Sequence, residues 1–246
     1  MKKQTAHEYG FTHANDAIFQ NTDTDTLVQH AIEYTGAKLT PSGALVVESG
    51  QHTGRAAKDK YVVVSEKSEA TINWKNNINK ITRETFDQIK QEIITHINQN
   101  ERLYWSQKNV GANAKYALST EMFSTHPHHT LFFNYLMRDD QYEPCQLGHY
   151  TIYHAPTLSV DTNKHGTRSG TVIAMDIDNN EVLIAGTSYA GEIKKSIFSA
   201  MNYILPEHGL LPMHAGSNVA SNGDVSVFLG CQEPAKPHYQ HKKNVY

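Results

Sequence analysis

The sequence predicts an α/β or α+β fold, and two observations carry that prediction. Short apolar runs bounded by turn residues recur along the chain, and one long segment keeps its apolar residues to a single helical face. In chain order, residues 25–35 read as a helix: Leu27, Val28, Ala31 and Ile32 share a face, Thr24 or Asp25 can cap it, and Gly36 ends it. ALVVES (44–49) and YVVVS (61–65) read as strands around a polar loop, QHTGRAAKDK (51–60). The long helix runs from about Thr82 to Ile97, with Phe86, Ile89, Ile93, Ile94 and Ile97 forming its stripe. Residues 101–148 resist assignment apart from a helix around 129–138. TIYHAP is a short strand, TVIAMDI and EVLIAGT are strands around the turn Asp178–Asn179–Asn180, and GEIKKSIFSAMNYIL (191–205) is a helix ended by Pro206. LLPMHA and GDVSVFLG supply the last strands, and no linker stands out before residue 230.

Hydrophobic residues make up 39% and charged residues 19% of the 246, enough apolar surface for a buried core and too little charge for wholesale disorder. A net charge of −3 leaves no electrostatic reason to expect nucleic acid or an anionic membrane as partner. No apolar run approaches the length of a membrane span, and the two lysines after Met1 precede no apolar leader segment. Cys145 and Cys231 do not form a CxxC pair, so the sequence predicts a reducing, cytoplasmic setting without a disulfide framework.

Three segments carry candidate chemistry. The 51–60 loop holds Arg55, Lys58 and Lys60, and an arginine can grip a carboxylate or phosphate with two parallel hydrogen bonds. A solvated basic hairpin with Asp59 as counter-ion is the plainer reading. In Tyr189-Ala-Gly191-Glu-Ile-Lys194-Lys195, both lysines fall in the first turn of a helix, where cations oppose the helix dipole. A bound anion sharing that terminus explains them, whereas a solvated pair bending away from the core does not require one. By angle, Lys194 falls within the arc of Ile193, Ile197, Met201 and Leu205. In Met213-His214-Ala-Gly-Ser217-Asn218, placed between two strands, His214 is either a metal ligand or a hydrogen-bonded structural histidine. His126-Pro-His128-His129 matches no ligand spacing and reads as a surface or packing feature.

Taken in order, HTGRAAKDKYVV (52–63), HGTRSGTVI (165–173), VLIAGTSYAGEIKKSIFSAMNYILP (182–206), MHAGSNV (213–219) and GDVSVFLG (223–230) resemble the landmarks of the ATP-type phosphoenolpyruvate carboxykinase family. The resemblance is near-continuous from Tyr150 to Gly230 and looser but collinear from Ala44 to Arg138. It implies an N-terminal substrate-binding domain over 1–209, with mixed sheets and packed helices, and the first strands of a nucleotide-binding domain over 210–230. It also implies a lyase that turns oxaloacetate and ATP into phosphoenolpyruvate, carbon dioxide and ADP, as in gluconeogenesis. Arg55 would then bind the substrate carboxylate, Tyr189 would lie against substrate or carbon dioxide, and Gly191 would border the substrate. Lys195 and His214 would bind Mn2+ or Mg2+, Lys194 would contact substrate or phosphate, and Lys194 and His214 would mark the remaining cofactor side. The sequence departs from the pattern at Ala56-Ala57, where the family has Ser-Pro, and at MHAGSN, where it has MHCSAN. GANAKYALSTEMF (111–123) stands where the family has GADPKYRLPVRVI, without its aspartate and two arginines. These changes are expected in loops near the site.

Beyond Gly230 the family continues with a P-loop, GLSGTGKTTLST, whereas this chain reads CQEPAKPHYQHKKNVY over 231–246. Read one base earlier, the codons for Cys231 to His241 can spell Leu-Ser-Gly-Thr-Gly-Lys-Thr-Thr-Leu-Ser-Thr, the P-loop itself. The expectation is a frameshifted tail, an ATP site missing from the chain, and a truncated protein inactive alone unless a separate chain supplies the second lobe. The alternatives are a non-catalytic module that binds a small di-acid or anion, and an unstable gene remnant exposing the apolar edge of GDVSVFLG.

Overall fold

Residues 5–75, 78–138 and 147–229 are described by a computed structural model. Cys145, Cys231 and the tail 231–246 lie outside the described residues. Two compact units divide between Ala200 and Met201.

In the first unit the layers follow from alternation along the strand Leu103–Val110. Leu103 and Trp105 join a cluster with Phe86, Ile89, Ile93 and Ile97, while Tyr104 between them joins Leu27 and Leu131. Successive strand side chains point to opposite faces, so a helix covers each side of the sheet here. The strands are β1 (Ile18–Gln20), β2 (Lys38–Leu39), β3 (Leu45–Val46), β4 (Lys60–Val63), β5 (Asn79–Ile81), β6 (Leu103–Val110), β7 (Leu118–Ser124), β8 (His149–Ala155), β9 (Val172–Asp176) and β10 (Glu181–Ala185). Eight of them make one mixed sheet in the order β1-β6-β7-β8-β10-β9-β4-β5, and β2 pairs with β3 apart from it. The helices are α1 (Thr24–Thr35), α2 (Glu66–Thr71), α3 (Arg83–Asn98), α4 (Pro127–Leu136), α5 (Thr162–His165) and α6 (Gly191–Ile204). The mixed α/β class is as the sequence predicts.

The predicted helices fall within a residue or two of their places. Asp23, rather than Thr24 or Asp25, caps α1 by accepting the Thr26 N–H at 2.9 Å, and Gly36 closes it at φ 69°. Val28 is half-buried and Ile32 exposed, so only Leu27 and Ala31 of the expected face are fully covered. Thr82 caps α3, whose stripe is buried as expected. The β9–β10 hairpin turns on Asn180 at φ 58°, with Asp176 accepting the N–H groups of Asp178 and Asn179. ALVVES shortens to the two residues of β3 and YVVVS to β4. Because β3 pairs with β2 and β4 with β9, the 51–60 loop joins two sheets and is not a hairpin.

The unassigned stretch 101–148 contains β6 and β7, which lie inside the large sheet. Strand β7, LSTEMFS, is buried throughout although four of its seven residues are polar. Glu121 is its centre, 0% exposed. Its carboxylate accepts Trp105 Nε1–H at 2.9 Å, His149 Nε2–H at 2.8 Å and Thr151 Oγ1–H at 3.0 Å. Glu121 stands at the second arginine of the family pattern, so that departure lies within the sheet rather than in a loop. Burial pushes its carboxyl up, yet the bonds from His149, Tyr9 and Trp105 together hold it below the usual carboxylate range.

In the second unit, β11 (Ala215–Val219) pairs antiparallel with β12 (Val225–Leu229). Val225, Val227 and Leu229 of β12 are exposed, as expected for GDVSVFLG. LLPMHA is not a strand: β11 begins at Ala215, so His214 precedes the ribbon instead of lying between strands. Among the described residues no helix is long and apolar enough to cross a membrane.

Candidate anion site at the N-terminus of α6

The first turn of α6 follows β10 by a loop of five residues, 186–190, with Gly186 at its start. Gly186 has φ 72°, and a Cβ there would lie 2.5 Å from the Gly170 carbonyl oxygen, so the backbone cross-over tolerates only glycine. Thr187 Oγ1 accepts the Tyr189 N–H at 3.2 Å, and the Tyr189 carbonyl accepts the Glu192 N–H at 3.1 Å. The Tyr189 ring then folds across Gly191, where an added Cβ would lie 2.5 Å from its Cε1. Gly191 therefore acts by giving the half-buried tyrosine its place.

Burial of α6 differs from the sequence expectation. Lys195 is 8% exposed, whereas Lys194 is exposed to solvent. The angular argument placed Lys194 on the apolar arc. In the first two turns, however, the covered face includes Glu192, Ile193, Ser196 and Ile197. At about 100° per residue the centre of this face is rotated off the expected arc, and Lys195 stands about 60° from Glu192 whereas Lys194 stands about 160° from it. The rotation follows from what packs there: Glu192 Oε1 accepts the Ala56 N–H at 2.7 Å, drawing the 51–60 loop onto the helix start. The family's serine at 56 is absent, but a backbone group makes this bond, so the alanine retains it. Glu192 Oε2 and Ser196 Oγ, one turn apart, are both buried and have no hydrogen-bond partner among the described residues.

The loop is held elsewhere too. His52 Nε2 donates to Thr171 Oγ1 at 3.0 Å, since that hydroxyl already donates to the Gly186 carbonyl at 2.9 Å. Asp59 is not the counter-ion of the loop's own cations. It is 3% exposed and binds Arg168 by a two-pronged pair at 3.0 and 2.7 Å, with Ser169 Oγ donating at 2.8 Å. A cavity of about 470 Å³ lies against this side of the loop, with His52, Asp59, Arg168, Thr171 and Gly186 among its walls. Burial pushes the half-buried Lys60 ammonium below the usual lysine range, with Glu192 pulling it back up and Arg55 pushing it down.

Arg55 is exposed on this loop, next to the anchored Ala56. Arg55, Tyr189, Gly191, Lys194 and Lys195 thus belong to the first unit, on two segments that the Ala56–Glu192 bond ties together. His214 belongs to the second unit, is exposed, and lies one residue before β11.

The comparisons with known proteins agree with this arrangement of motifs. The family model described as phosphoenolpyruvate carboxykinase matches residues 16–236. The chain belongs to the phosphoenolpyruvate carboxykinase family. It is 40% identical to the phosphoenolpyruvate carboxykinase (ATP) of Agrobacterium fabrum over 221 residues, covering 89% of this chain and 41% of that protein. Against the enzyme of the same name from Mesorhizobium japonicum it is 42% identical over 212 residues, or 85% and 39% of the two chains. For the Geobacillus kaustophilus enzyme the identity is 37% over 212 residues, with 85% and 40% coverage. The chain spans about two fifths of the length of these carboxykinases.

Sequence reasoning missed Glu192, although it stands inside the YAGEIKK motif. Its signal was a carboxylate in the first helical turn beside two lysines, where the helix dipole favours an acid. It also left open how covered the histidine cluster is: His129 and His154 are buried, and His126 and His128 are half-buried. The spacing of His126, His128 and His129 matches no ligand motif, and among the described residues no group of three or more His, Cys, Asp or Glu side chains is arranged to hold a metal ion.

Proposed function

We propose that the first unit is the substrate side of a phosphoenolpyruvate carboxykinase, binding oxaloacetate or phosphoenolpyruvate at the N-terminus of α6. The observation that supports this most is the burial of Lys195, 8% exposed at the fifth residue of α6, close to the helix end where a cation is disfavoured. The Arg55 loop fastened beside it adds a second cation on a segment held by Glu192. A small di-acid can meet both: the α6 N-terminus and Lys195 take one carboxylate, and Arg55 grips the other with parallel N–H groups. Tyr189, laid over Gly191, closes one side of that space. In the decarboxylation, these cations would stabilise the enolate oxygen as the carbon–carbon bond breaks.

Mn2+ or Mg2+ is the metal that the family resemblance implies, and Lys195 and His214 are the residues that match its ligand motifs. When bound, the metal would polarise the enolate oxygen and align a phosphoryl group. ATP does not fit the residues present, because no GxxxxGK[ST] sequence occurs in the 246. Conversion of oxaloacetate and ATP is accordingly proposed for a protein that also carries the remainder of the relatives' length. For this chain we propose di-acid binding without phosphoryl transfer.

Calorimetry with oxalate and Mn2+ tests the proposal. Binding to the wild-type chain, weakened about tenfold by Lys195→Ala with an unchanged melting temperature, is the expected result. Absence of binding by a cooperatively melting wild-type chain overturns it, and formation of phosphoenolpyruvate from oxaloacetate and ATP by the chain alone overturns the second part.

A further inference from the structure

We propose that Glu192 is a positioning residue that fastens the Arg55 loop to α6, so that an anion meets Arg55 and the α6 lysines as one set. The inference deepens the reading above and rests on it.

Glu192 is the second residue of α6 and is 0% exposed. A buried carboxylate is costly unless something nearby requires its charge. Among the described residues only one of its oxygens has a hydrogen-bond partner, the Ala56 N–H, 136 residues away in sequence and 2.7 Å away in space. The short bond is of the charge-assisted kind. The other oxygen is buried and accepts no hydrogen bond, so its stabilisation comes from charge at longer range. The α6 dipole supplies part of it, since the carboxylate lies in the helix's first turn. Lys60, which feels both Glu192 and Arg55, supplies another part.

The other anchors of the loop explain why this one matters most for Arg55. His52 and Asp59 bind Thr171, Ser169 and Arg168, so they fix the two ends of the loop to the segment 168–171. Glu192 holds the middle of the loop, at the residue that follows Arg55, and it holds it to the helix that carries Lys194 and Lys195. A carboxylate beside an anion site repels the anion. That penalty is offset only if the carboxylate contributes position, which the bond to Ala56 does.

Two variants separate position from charge. Glu192→Ala removes the acceptor, while Glu192→Gln keeps an amide oxygen for the Ala56 N–H and removes the charge. Oxalate affinity with Mn2+ is expected to fall about tenfold or more in Glu192→Ala and to stay within about threefold of wild type in Glu192→Gln. Limited trypsin cleavage after Arg55, followed by mass spectrometry without ligand, reads the loop directly. It is expected to accelerate about tenfold in the alanine variant and hardly at all in the glutamine variant. If wild type binds no oxalate, the di-acid reading fails while cleavage still decides the role of Glu192. If the alanine variant matches wild type in cleavage and affinity, the positioning role is overturned. If the alanine variant does not melt cooperatively, the glutamine variant decides: retained affinity supports the role, and a tenfold loss refutes it.

Discussion

Two neighbouring regions of the first unit treat titratable side chains in opposite ways. At the α6 terminus, side chains of opposite sign are buried near one another: Glu192 and Lys195 are covered, and the loop that carries Arg55 is tied to the Glu192 side chain. At the start of α4, four histidines pack ring against ring, with centroids 4.2 Å apart for His128 and His129 and 4.5 Å for His129 and His154. Burial, reinforced by His96 for the first and by His126 for the second, pushes His126 and His128 down to about 4. It pushes His129 and His154 well below the usual range. The two regions meet at Ser188, whose carbonyl accepts His129 Nε2–H at 3.0 Å one residue before Tyr189. Burial among like groups disfavours the charged form, as it does for these histidines, whereas hydrogen bonds to a carboxylate favour its charge, as they do for Glu121. The histidine cluster is therefore a packing feature, one of the two alternatives its sequence allowed, with His129 buried and His126 and His128 half-buried.

The largest test of this contrast is acid. Histidines whose folded values lie below the unfolded 6.5 bind fewer protons when folded, so their full stability is present above about pH 6.5 and is lost as pH falls toward 4. For His126 and His128 the loss approaches about 3 kcal/mol each at the acid end. Urea midpoints at pH 7, 5.5 and 4 should fall steadily across that window, and a flat profile would remove the argument for a neutral cluster.

A smaller effect sharpens the rule for retained charge. Glu121→Gln replaces an acceptor of several hydrogen bonds with a group that must turn a donor toward some of them, and should cost about 2–3 kcal/mol at pH 7 by thermal melting. The Glu121 carboxylate's contribution is present above its ordinary 4.5 and is lost as pH falls below that value. The penalty of the variant should therefore shrink in strong acid, after the histidines have titrated.

The smallest effect concerns geometry alone. Gly191→Ala places a methyl group against the Tyr189 ring. Oxalate affinity should drop about threefold while the melting temperature holds or rises slightly, because alanine suits a helix better than glycine. Equal affinity would mean that the ring's place over Gly191 is irrelevant to binding.

Much of this molecule is legible from local pattern. The α3 stripe, Gly36 beyond α1 and the Asn180 turn each follow from the nearest few residues, because helix faces, caps and left-handed turns are local matters. The family motifs, above all YAGEIKK, were equally legible. Tertiary structure decided the rest. It made a buried strand of the polar β7, since Trp105, His149 and Thr151 bring the donors that Glu121 needs from other strands. It also chose Lys195 over Lys194 for burial, because a loop 136 residues away settled on the Glu192 side of α6. Periodicity shows that a helix has a covered face, but the orientation of that face depends on partners that the helix sequence does not contain.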